Sequence, residues 1–201
     1  MSHPSVEEAR ARLRNHFQDY QDEKYGDGWS KLWENGEFLP WDRLAPSPAL
    51  TEALGKRHDV IGKAVVEIDG KPRRKKALVP GCGRGVDVLL LESFGYDAVG
   101  LEISQAAVDA ENQYAKEHEN EFAVQDEQLG KGSRKFVHGD FYKTDWLESA
   151  GMGGQQFDLI YDYTVSSRPS CQISIRLTNT SIPVFLRHEP IHASSMGQTD
   201  V

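Results

Sequence analysis

Apolar residues at Val6, Ala9, Leu13 and Phe17 recur every three to four positions behind Ser5, with Glu8 placed to complete a capping box. Residues 6–19 therefore read as an amphipathic helix with one face on the body. A second short helix carries Trp29, Leu32 and Trp33 and stops at Gly36, after which Pro40-Trp41-Asp42 turns the chain. Pro46-Ser47-Pro48 opens a third helix that runs through Leu54.

From Lys76 the period changes. Ala77-Leu78-Val79 is a short buried strand, a glycine-rich loop follows, and Val86 to Phe94 is apolar enough for a helix packed on a sheet and closed by Gly95. Asp97 to Ile103 reads as a second strand, Ser104 caps a helix to about Glu119, Lys135 to His138 is a third strand and Phe157 to Tyr163 a fourth. The polar stretch from Glu119 to Lys135 is a surface loop. Strands alternating with helices imply α/β architecture, a Rossmann-like parallel sheet with right-handed crossovers.

After Thr164 the pattern is lost. Residues 165–201 hold no lysine, two acids and ten Ser or Thr. Ile173, Ile175 and Leu177 alternate with polar residues as one strand would, while Pro169, Pro183 and Pro190 break any helix. This segment is expected to be an atypical tail, with disorder as one reading of it.

Composition narrows the function. A chain of 201 residues fits one domain without needing disulfides or metal, and a net charge of −8 argues against a nucleic-acid or anionic-membrane footprint. A small molecule is the expected partner; nothing in the pattern fixes an oligomeric state. Two cysteines, Cys82 and Cys171, make no disulfide framework, and no apolar run resembles a signal peptide or membrane span, so a cytoplasmic home is expected. The basic run Arg73-Arg74-Lys75-Lys76 abuts a strand and reads as a solvated turn.

The candidate chemistry begins at Val79-Pro80-Gly81-Cys82-Gly83-Arg84-Gly85, between a strand and a helix, where glycines let backbone approach a ligand. Glu102 ends the next strand, 21 residues beyond Gly81, where a carboxylate accepts from both ribose hydroxyls. NAD and S-adenosylmethionine sites share this plan, but the dinucleotide fingerprint wants a third glycine where Val86 stands, so the spacing favours a ligand without pyrophosphate. Asp140 and Phe141, after the third strand, suit an adenine's amine and ring face; a plain Gly-Asp turn is the bland alternative. Asp162 and Tyr163 end the fourth strand and are the candidates for the reacting centre, though either can be an ordinary strand-end residue. Trp29, Trp33 and Trp41 can form a packed helix face or a lid whose aromatic rings attract a sulfonium and exclude water.

At these residues the chain resembles the thiopurine S-methyltransferase family, in particular its plant and fungal thiol or halide methyltransferase branch. The resemblance rests on six ordered blocks: Gly28-Trp29 through Glu34, Pro40-Trp41-Asp42, Ala77 to Gly83, Val99 to Ser104, Gly139-Asp140-Phe141 and Phe157 to Tyr163. It implies S-adenosyl-L-methionine as cofactor, held by Trp29, Trp33, Trp41, Gly81, Gly83, Glu102, Asp140, Phe141 and Tyr163. It further implies methyl transfer to a small thiol, thiopurine or halide, with Asp162 and Tyr163 at the reacting group and no metal. Residues 1–164 would form one methyltransferase domain, with lid helices over 1–56 and a cofactor core over 76–164. The family's later helix, strand, Pro-Gly-Gly turn and closing hairpin are not legible after Thr164, so the sheet is expected to lack its C-terminal strands; a tail foreign to the family would leave the fourth strand as an edge, whereas a divergent but genuine tail would supply one edge strand. The alternative reading is a truncated, inactive cofactor-binding or interaction protein.

Overall fold

The computed structural model describes residues 5–162 and 184–185. The sheet grows outward from β3 (Lys76–Pro80), whose Ala77, Leu78 and Val79 are buried on alternate faces. It pairs in parallel with β4 (Asp97–Glu102) on one side and with β6 (Leu159–Ile160) on the other. With β5 (Ser133–His138) and β7 (Val184–Phe185), the order is β5-β4-β3-β6-β7, all parallel. The chain runs outward from β3 to β5 and returns to β6, so the strand order reverses between β3 and β6. A crevice at the C-terminal ends of such neighbours is where open α/β sheets bind ligands.

Both faces of the sheet are covered, as parallel strands require. On one face Ala77, Val79, Ala98 and Tyr161 pack with Leu50 and Leu54 of α3 (Pro48–Lys56) and Val88 and Leu91 of α5 (Val86–Ser93). On the other, Leu78, Val99, Leu101 and Ile160 meet Phe157, Met152 and Trp146, the last from the short α7 (Asp145–Ser149). α6 (Gln105–Glu117) starts at Ser104, whose hydroxyl accepts from Ala107 N. It supplies Tyr114 and Ala115 to a third cluster with Leu89.

The N-terminal segment lies over the open end of the sheet. α1 (Val6–His16) carries the expected capping box but stops short of residue 19 and buries no residue fully. The His16 ring bonds the Gly28 carbonyl at 2.8 Å, and Phe17 packs on Trp29, joining it to α2 (Tyr25–Asn35). α2 ends at Gly36 in the left-handed conformation, as its sequence predicts.

Three expectations are corrected. The basic run is no solvated turn: Lys71–Arg74 is strand β2, in a hairpin with β1 (Val65–Ile68) turned at Asp69-Gly70. Its arginines are anchored, Arg73 to Asp158 and Arg74 to the Gly95 and Leu129 carbonyls. The 119–135 stretch is more than a surface loop, because Phe122 packs on the core and Gly132 N bonds Glu92 O. Finally, β6 is not an edge. Val184 and Phe185 pair with Leu159 and Ile160, so the segment after Thr164 does supply a strand. The expected strand at Ile173–Leu177 and the rest of the tail lie outside the described residues.

Candidate functional site

The β3–α5 turn is shaped by three left-handed glycines, Gly81 (φ 58°), Gly83 (φ 59°) and Gly85 (φ 75°), a conformation costly for other residues. The amides of Gly81 and Gly83 already have partners: Gly81 N bonds Leu101 O at 2.7 Å and Gly83 N bonds Glu102 Oε2 at 3.1 Å. What the loop offers outward is therefore a bare backbone surface rather than those N–H groups. Gly81 is exposed, and a side chain on Gly83 would reach to 3.7 Å from Trp33 Cζ2.

Glu102 stands at the end of β4, buried, with Oε1 accepting from Ile103 N at 2.9 Å. Burial pushes its carboxyl above the ordinary range, and the amides of Gly83, Ile103 and Ser104 pull it back. The three amides leave part of the carboxylate's capacity, about four lone-pair sites, for a ligand hydroxyl.

Above the loop the three tryptophans form one cluster. Trp29 meets Trp41 edge-on at 5.0 Å and Trp33 meets Trp41 at 6.4 Å; Trp33 is buried, the other two half-buried. An ion pair that the sequence did not reveal holds this cluster to the loop: Arg84 bonds Asp42 at 2.6 Å, with its guanidinium 5.4 Å from the Trp33 ring. Forty-two positions separate the partners, so only the fold brings them together.

The other expected residues are distributed around this point. Gly139 N bonds Glu102 O, which sets the 139–141 turn beside Glu102. Asp140 Oδ1 accepts from Tyr142 N at 2.9 Å, so the bland Gly-Asp turn is present; Phe141 is half-buried against the Trp146 cluster. Asp162 is buried at the end of β6, next to β3. Tyr163 lies outside the described residues. Among the described residues no group of three or more His, Cys, Asp and Glu side chains gathers to hold a metal, and no helix is long and apolar enough to cross a membrane.

The chain is 31% identical over 151 residues to "Probable thiol methyltransferase 2" of Arabidopsis thaliana, covering 75% of this chain and 53% of that protein. It is 30% identical over 139 residues to "Thiocyanate methyltransferase 1" of Brassica oleracea, covering 69% and 47%. The chain thus spans about half the length of the curated relatives it matches. A solved structure described as "Conversion of a Disulfide Bond into a Thioacetal Group during Echinomycin Biosynthesis" aligns at 23% identity and a TM-score of 0.46, covering 70% of this chain and 47% of that one. The family model for thiopurine S-methyltransferase matches residues 25–166, a span holding the glycine loop, Glu102 and the tryptophan cluster, and the chain belongs to that family.

Proposed function

We propose that this chain binds S-adenosylmethionine at the β3–β4 ends and transfers its methyl group to a small thiol, thiopurine or halide. The observation that carries the reading is the buried Glu102 carboxyl at the end of β4, fixed by Gly83 N and Ile103 N beside a glycine loop that Trp33 of the tryptophan cluster approaches. The bound cofactor supplies a methyl group already activated on a positively charged sulfur. The protein's part is then to orient it and keep water out.

Glu102 accepts from the ribose hydroxyls with its remaining lone pairs, while Gly81 and Gly83 let the ligand lie against bare backbone. Trp29, Trp33 and Trp41 face the sulfonium and close the pocket, a role to which aromatic faces are suited. Phe141 stacks on the adenine and Asp140 accepts from its amine. Asp162 and Tyr163 flank the reacting group and position the acceptor. On this reading residues 1–164 act as one domain, lid helices over a cofactor core, and the free thiol of Cys82 suits the cytoplasm. An active chain is favoured over a truncated, inactive one by the family match across the site blocks and by β7 on the flank of β6.

Titration followed by tryptophan fluorescence tests the site. Saturable responses are expected from S-adenosylmethionine and S-adenosylhomocysteine and none from NAD. A folded sample silent to both methyl-cycle compounds contradicts the reading.

A further inference from the structure

Beneath the glycine loop lies a carboxyl that the methyl-transfer reading leaves without a role. Glu111, on the inward face of α6, is fully buried. Its Oε1 accepts from Cys82 Sγ at 3.3 Å, and its Oε2 has no hydrogen-bond partner among the described residues. Two ionisable groups act on it from the elements packed against it, Cys82 from the loop and Glu102 from the end of β4; both are acids. Burial pushes the Glu111 carboxyl well above the usual carboxylate range and the charge on Glu102 pushes it further, against the pull of the Cys82 bond. Burial and the same two carboxyls push the Cys82 thiol up, so the sulfur is the donor.

The fit is close on every side. A Cβ on Gly100 of β4 would meet Cys82 Sγ at 2.6 Å, so only glycine leaves room for that thiol. A Cβ on Gly85 would meet Phe136 Cε1 at 2.7 Å, and Glu111 Cβ lies in ordinary contact distance of the same point, at 3.6 Å. Cys82 thus drops from the loop into a slot between β4 and α6, and Glu111 closes the slot. A buried carboxylate with no cation and one unsatisfied oxygen is costly; a neutral acid whose proton sits on Oε2 is not charged.

We propose that Glu111 is a positioning residue that, as the neutral acid, closes the slot holding Cys82 and so anchors the cofactor loop. Loss of its proton strengthens the Cys82 bond but opens the slot to water, because the bare Oε2 charge must be hydrated, and this frees the loop and weakens cofactor binding. The proposal rests on the loop being the cofactor site. Since the protonated form supports binding, affinity is intact below the Glu111 titration and falls as pH rises through it, by up to about tenfold per pH unit.

The test is S-adenosylhomocysteine binding by calorimetry across pH, for the wild type, E111Q and C82A, with circular dichroism at each pH. The ligand's own amino group titrates alike for all three proteins, so the difference between profiles is read. E111Q, which keeps the shape and an acceptor but cannot ionise, is expected to hold wild-type neutral-pH affinity and lose the extra decline at high pH. C82A, which cuts the bridge with the carboxyl in place, is expected to bind weakly at every pH and also to lack that decline. Infrared spectroscopy without ligand should show a protonated-acid carbonyl band that E111Q removes. Coincident wild-type and E111Q profiles, or no such band, overturn the role of Glu111 while leaving the cofactor reading standing. A folded wild type that binds nothing at any pH overturns the cofactor reading and this proposal with it.

Discussion

At the scale of single residues, Glu102 bears most directly on the proposed binding. Its carboxyl is held by backbone amides, those of Gly83 and Ile103 among them, so its orientation does not depend on the ligand. Replacing it with alanine removes the diol's acceptor and leaves Gly83 N without its partner. Hydrogen bonds to a charged group contribute about 1.5–3 kcal/mol, so E102A should weaken cofactor binding roughly ten- to hundredfold by calorimetry. Unchanged affinity would remove Glu102 from the site. This residue was legible in the sequence because a strand end and a glycine loop at the right separation define it without any tertiary knowledge. Glu111 was not. In sequence it is one polar residue within an amphipathic helix, and its burial follows from which side of α6 lies beneath the loop. Asp140 shows the converse: its motif was legible, and its oxygen accepts from the chain two residues on, as the plain Gly-Asp turn named beside the adenine reading requires.

At the scale of elements, Asp42 and Arg84 join the proposed lid to the glycine loop. The pair is short at 2.6 Å and largely shielded, with side-chain exposures of 10% and 26%. A second tie runs parallel to it, from Ser47 N to Asp87 Oδ1 at 2.7 Å. The segment from Trp41 to Ser47 is thereby strapped along the start of α5. Contacting charged residues couple by about 0.5–3 kcal/mol, so a double-mutant cycle with D42N and R84Q should show coupling in that range for cofactor affinity. Strictly additive effects would mean the strap does not hold the lid. The helices and strands themselves were largely legible, because caps and periodicity are local properties. The β1–β2 hairpin was missed because each strand has only four residues and β2 is mostly charged, its Arg73 being held by Asp158, far along the chain.

At the scale of the whole molecule, that same Arg73–Asp158 contact ties the hairpin to the strand that completes the site. Burial pushes the Asp158 carboxyl up, but Arg73, the Lys76 amide and Lys75 outweigh it and leave it below the ordinary range. An acid held low in the folded state contributes stability above its unfolded pKa of about 3.9 and loses that contribution as pH falls through the lower folded value. With side-chain exposures of 39% and 20%, solvent screens the pair, and about 1 kcal/mol is a fair magnitude. D158N should therefore lower Tm at neutral pH and make the acid limb of the stability profile shallower; a D158N profile parallel to wild type would refute this. That the sheet is parallel followed from the alternation of strands and helices. The position of β7 did not, because Val184-Phe185 is too short to signal a strand before β6 offers it an edge.

The central claim is that this chain moves a methyl group from S-adenosylmethionine using the site built around Glu102. Incubating the purified chain with methyl-labelled S-adenosylmethionine and a small thiol, beside E102A at a cofactor concentration that half-saturates the wild type, tests it most directly. The account predicts labelled S-methyl product from the wild type and a large loss with E102A. A folded wild type that forms no product with any thiol, thiopurine or halide acceptor, or an E102A variant with wild-type turnover, would contradict it.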